Sequence, residues 1–114
     1  MSISNKTYQP VQLVTIKANE DLPAFRFVNY SGNLCQTETL ALGVTEVDWK
    51  DGDYASVVTL GTIIVETDSA IDVGVPVTSS DQGKAMAASG TVPVNGVALD
   101  ACSGAGFIRI KLVP

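Results

Sequence analysis

The chain has 114 residues, 46% of them hydrophobic, with seven Lys and Arg against twelve Asp and Glu for a net charge of -5, and no histidine. That length serves one core and reads as one domain, and an acidic chain whose basic residues are scattered from Lys6 to Lys111 repels a phosphate backbone, so direct nucleic-acid binding is not expected. Lacking His, the chain has neither the side chain most used as a general base near neutral pH nor the commonest metal ligand, and a Ser-His-Asp triad is excluded.

The opening MSISNKTYQP (residues 1–10) is polar and aperiodic, and it lacks the basic segment and apolar core of a targeting peptide. It reads as a flexible arm, with cytoplasmic synthesis as the default. From residue 11 to residue 114 a single β domain is expected. Val, Ile and Thr dominate short runs, and Gly, Asn, Asp and Ser punctuate them about every eight to twelve residues, the pattern of a sandwich or barrel. Candidate strands fall at 11–16, 25–30, 41–46, 54–59, 62–66, 74–78, 84–88, 93–98 and 106–112. No run approaches the roughly 18–20 apolar residues of a membrane helix, so no membrane partner is expected.

In FRFVNY, alternation places Phe25 and Phe27 on one face and Arg26, Val28 and Tyr30 on the other. Both faces carry large apolar groups: either one is core and the other a protomer interface, or both are buried under a loop. EVDWKDGDY gathers Glu46, Asp48, Asp51 and Asp53. Several carboxylates in one loop suit a hard cation, but EF-hand spacing is absent and Asp-Gly is an ordinary turn signal, so no metal is expected. Trp49 in this loop is either a partner-facing anchor or a lid on local core.

Lys84, in DQGKAM, invites comparison with lipoyl and biotinyl carrier domains, but the Met before the lysine and the acidic neighbour of those carriers are missing. A solvated turn lysine is the simpler reading, and no cofactor is expected. Cys35 and Cys102 are too few for a disulfide framework and lack zinc-site spacing; each reads as a small buried apolar residue, with a bridge between them left open. SGAG (103–106) is a turn, since it lacks Gly-Lys-Ser/Thr and precedes a strand where a phosphate loop needs a helix. In FIRIKL, Ile108, Ile110 and Leu112 alternate with Arg109 and Lys111, an amphipathic strand.

The chain also echoes itself. A shift of 53 places Gly43 on Gly96, Val44 on Val97, Tyr54 on Phe107 and Val57 on Ile110; a shift of 49 places Val28 on Val77 and Ser31 on Ser80. A four-residue difference must therefore lie in the intervening loop. Two copies are too few for an open array, so two pseudo-repeated halves that close on each other is one reading, and chance identity in a chain rich in Val and Gly is the other.

Taken in order, TYQP, RFVNYSGNL, LALGVTEVDWKDGDYASVVTLGTIIVE, IDVGVPVTSSDQGKAM, VNGVALDACSGAG and IRIKLVP resemble the capsid cement or decoration proteins of tailed bacteriophages. Specificity lies in the order and spacing of these strings, and the chain departs from the usual look where Val11, not Gly, follows QP. The resemblance implies an all-β fold, a small single-domain β-barrel or β-tulip (β-clip-like) with an extended N-terminal arm. It implies a structural virion protein and no enzyme, made in the host cytoplasm and bound to the outer surface of the expanded capsid. There it clamps major capsid protein subunits, as a homotrimer at local threefold positions, against the pressure of packaged DNA. Capsid-binding residues are then sought in the arm, at Thr7, Tyr8, Gln9 and Pro10, and protomer or capsid contacts at Phe25, Phe27, Tyr30 and Trp49. The rival reading is a cell-surface or carbohydrate-binding β-module, which should carry a secretion signal and a clustered aromatic platform; neither is evident in the sequence.

Overall fold

The computed structural model describes residues 7–113. Eight strands follow one another: β1 (Pro10–Lys17), β2 (Phe27–Val28), β3 (Gly43–Thr45), β4 (Tyr54–Thr67), β5 (Pro76–Ser79), β6 (Ala85–Ala87), β7 (Gly96–Ala98) and β8 (Gly106–Leu112). A single 3-10 turn, Asp81–Gly83, precedes β6, and there is no α-helix among the described residues. Strands β4, β6, β5, β7 and β8 are hydrogen-bonded in that order, and β8 returns to β4, closing a five-stranded barrel. β1 and β3 pair with the first stretch of β4, and β2 with β3.

The echo in the sequence is a duplication in the pairing. Val28 opposite Gly43 repeats as Val77 opposite Gly96, and Val44 opposite Val58 repeats as Val97 opposite Lys111. The isolated bridge between Leu22 and Trp49 repeats as Ile71 with Cys102. β1 is the counterpart of the second stretch of β4: Val14 faces Val57 as Ile63 faces Ile110, and Lys17 faces Tyr54 as Glu66 faces Phe107. β4 thus closes the first half and opens the second. This corrects the expectation of separate strands at 54–59 and 62–66. Gly61, with φ of 106°, lets one strand pass through: a side chain there would put Cβ 2.4 Å from the Gln9 carbonyl oxygen. The four-residue difference is the 3-10 turn, since Val28 meets Leu34 in the first half while Val77 meets Ala87 in the second.

Inward residues follow from alternation. Ala18, Leu22, Val28, Leu34, Ala55 and Val57 form a small core in the first half, topped by Trp49. A larger core takes the counterparts Ile71, Val77, Ile108 and Ile110 together with Phe27, Cys35, Val44 and Val58 from the first half. The second core therefore joins the halves. At the seam, the Asn95 side chain accepts from Ala41 N–H (3.0 Å) and donates to the Thr39 carbonyl (2.9 Å), and Ser79 Oγ accepts from Thr39 N–H (2.9 Å). These bonds satisfy the buried polar side chains of Asn95 and Ser79 with backbone groups of the first half.

The expected strand at 25–30 shrinks to two residues. Phe25 lies in a turn with φ of 63°, so Phe25 and Phe27 do not share a strand face. Phe27 is wholly buried in the larger core, and this corrects its place among the interface candidates. Both cysteines are free thiols, Cys35 buried and Cys102 half-buried.

Candidate binding surfaces

Residues 1–6 of the expected arm lie outside the described residues; Thr7 is exposed, and the chain is seated from Tyr8 onward. Tyr8 packs against the larger core, and its ring meets Phe25 edge-on with centroids 6.3 Å apart. Phe25 meets Phe107 in the same way at 6.3 Å, so three rings form a row across both halves in the geometry that aromatic quadrupoles favour. Partial burial, then the neighbouring Glu46 carboxylate, raise the Tyr8 hydroxyl above the usual phenol range. Gln9 N–H donates to Thr62 Oγ1 at 2.7 Å and its carbonyl accepts from Thr62 N–H at 3.1 Å, while Pro10 opens β1.

Beside the rings is a charged cluster. Arg26 Nε donates to Glu66 Oε1 at 3.0 Å, Lys84 Nζ lies 3.6 Å from Glu66 Oε2, and an Arg26 guanidinium N–H reaches the Gln82 carbonyl at 2.9 Å. All three charged groups are only partly exposed, and the cluster ties the first half to the 3-10 turn of the second. Lys84 is thereby engaged in an ion pair, not presented alone on a hairpin tip.

A second surface is a groove of about 370 Å³ between the halves, lined by Gln12, Val14, Tyr30, Leu40, Val94 and neighbouring residues. Tyr30, Leu40 and Val94 are all exposed. Leu40 precedes β3 by three residues and Val94 precedes β7 by two, so the segments leading into the two strands supply the apolar groups at the lips. Apolar groups at its lips and polar ones such as Gln12, Thr59 and Asn95 within it make a concave surface suited to adhesion.

A third region is the 48–53 loop. Trp49 packs against the small core, and its Nε1 is buried without an acceptor among the described residues. Of the two readings of Trp49, the lid is the one that its packing supports. The carboxylates nearby serve the loop: Asp48 accepts from Ala24 N–H (2.8 Å), Asp53 from Lys50 N–H (2.9 Å), and Asp51 N–H donates to Asp21 (2.9 Å).

Of the residues singled out in the sequence, Tyr8, Gln9 and Phe25 come together, Tyr30 lies on the groove, and Trp49 belongs to the small core. Phe107, Leu40 and Val94 were missed. Phe107 was legible in principle, because the 53-residue shift sets it on Tyr54 and aromatic identity at repeat positions signals a shared face.

A family model described as phage cement protein matches residues 6–112. Among solved structures, the fold resembles the head fiber gp8.5 N base of bacteriophage phi29, with a TM-score of 0.76 and 22% sequence identity over 90% of this chain and 93% of that one. A search of curated proteins returned no match.

Proposed function

The chain belongs to the phage cement protein family, and from that premise we propose that it binds the outer surface of the expanded capsid and clamps neighbouring major capsid protein subunits, bracing the head against packaged DNA. Membership gives it a structural, capsid-associated role in the virion. The clamp, the major capsid protein as its partner and assembly as a homotrimer at local threefold positions all belong to the proposal.

The observation that carries it is the family match across nearly the whole chain, residues 6–112. The geometry supports it: two fused half-units share a core and expose a groove lined by Tyr30, Leu40 and Val94, a surface fit for adhesion. Thr7, Tyr8, Gln9 and Pro10 are the proposed first contacts, held by the Gln9–Thr62 bonds at one edge of the barrel, with Phe25 and Tyr30 as further ones. Weak individual contacts suffice, because a trimer on a symmetric lattice gains effective concentration, typically about 100-fold or more in avidity.

Purified protein mixed with undecorated expanded capsids should add stoichiometric density at fixed lattice positions. Removing residues 1–7, which spares Tyr8 and its ring contacts, should leave the fold intact and lower occupancy. Unchanged occupancy would remove residues 1–7 from the binding surface and leave Tyr8, Gln9 and Pro10 as the arm's contacts to test.

A further inference from the structure

Among the described residues, the turn-on-face contact between the halves is made once and not reciprocated. The outer face of the second half, on β4 and β8, is covered by the first half: Glu66 N–H donates to the Phe25 carbonyl (2.9 Å), Thr62 pairs with Gln9, and Phe25 covers Phe107. Ile64, at the centre of that face, is 2% exposed as a result. The equivalent face of the first half carries Leu13 for Thr62, Thr15 for Ile64, Lys17 for Glu66 and Tyr54 for Phe107. It is bare: Tyr54 is 73% exposed, and Leu13, Thr15 and Lys17 are exposed beside it. A reciprocal, twofold relation between the halves would cover both faces. A head-to-tail relation covers one and leaves the other open.

The second half also keeps an unused copy of the covering turn. Phe25, with φ of 63°, corresponds to Gly74, with φ of 82°, and both follow an isolated bridge and lead into a strand. Around Gly74 the turn projects Asp72 and Val73, the latter 64% exposed. An acid and an aliphatic group on the free turn thus match a lysine and an aromatic ring on the bare face.

We infer that the face formed by Leu13, Lys17 and Tyr54 receives the Asp72–Val75 turn of a second copy of this chain, set head-to-tail as the halves are within one but with other side chains: Gly74 and Val75 stand where Phe25 and Arg26 make the internal contact, and Asp72 and Val73, the counterparts of Pro23 and Ala24, supply it instead. Asp72 meets Lys17, and Val73 packs on Tyr54. This deepens the self-association proposed above by naming its surfaces, and it rests on that part of the reading alone, since the contact involves nothing of the capsid. A heterologous contact of this kind closes into a ring or runs on as a filament; closed after three copies, it makes the trimer.

Sedimentation of the full chain up to millimolar concentration tests it, with circular dichroism confirming the fold of each variant. Wild type should associate, and Tyr54→Glu or Val73→Glu should weaken association about tenfold or more. Lys17→Asp and Asp72→Lys should each be impaired alone, and the double variant carrying both should recover, because its reversed charges pair at every contact of the ring. Leu40→Glu, in the groove, should change nothing. A wild type that stays monomeric throughout, or association indifferent to these substitutions, overturns the inference. So does loss of capsid occupancy in Tyr54→Glu with self-association intact, which would give this face to the capsid and separate the two questions.

Discussion

Phe25 holds a bulky side chain at φ of 63°, a conformation that costs an L-residue roughly 1–2 kcal/mol and that its repeat partner Gly74 adopts freely. What offsets the cost is the ring row, with Tyr8 on one side and Phe107 on the other. Removing the ring while keeping the backbone angle separates the two terms. Phe25→Ala loses the ring contacts and keeps the strain; Phe25→Gly loses both. We expect Phe25→Gly to be the less destabilising by about 0.5–1 kcal/mol, reversing the usual order of the two residues, as read by chemical denaturation. The cysteines differ as sharply. Burial pushes the Cys35 thiol up from 9.0 to about 12, against a smaller opposing hydrogen bond to Ser79. A thiol-specific reagent at mild alkaline pH should therefore modify Cys102 in the native protein and reach Cys35 only on unfolding. The linkage has a sign: since the folded thiol ionises later than the unfolded one, stability contributed at this site is intact below pH 9.0 and declines as pH rises toward about 12.

Among the elements, β3 and β7 show how the repeat governs close approach. Gly43 and Gly96 are equivalent, and a Cβ at Gly43 would stand 2.0 Å from the Val58 carbonyl oxygen, at Gly96 2.9 Å from that of Lys111. Backbone must move in both cases, further in the first. Gly43→Ala should cost about 3 kcal/mol or more and Gly96→Ala less, measured by the same denaturation. These two glycines were legible in the amino-acid sequence, since Gly43-Val44 on Gly96-Val97 was the firmest part of the echo, and the pairing with β4 and β8 preserves it. β4 was not legible as one element. Gly61 between two apolar runs reads as a break, and only the passage of one strand from the first half to the second turns it into a crossing point. Phe25 failed for a related reason: alternation assumes an extended backbone, and the left-handed angle at that residue belongs to a turn that its counterpart Gly74 repeats, while a Phe in that place carries no turn signal. The groove was missed because its lips, Leu40 and Val94, lie far apart in the chain and come together only where the halves join.

At the scale of the whole molecule, the larger core draws Phe27, Cys35, Val44 and Val58 from the first half and Ile71, Val77, Ile108 and Ile110 from the second, and β4 runs through both. The halves are repeats in register yet one unit in energy. Calorimetry should show a single transition whose calorimetric and van't Hoff enthalpies agree, and two resolved transitions would contradict the shared core. A cooperative block of this kind fits the proposed clamp, and membership of the cement protein family gives the chain a capsid-associated structural role. The most direct measurement is the reconstruction of expanded, undecorated capsids after incubation with the purified chain. The account predicts added density on the outer shell, bridging adjacent major capsid protein subunits at every equivalent position, together with heads that survive higher internal DNA pressure. Bare shells at saturating protein, or density that touches one subunit only and leaves head stability unchanged, would contradict it.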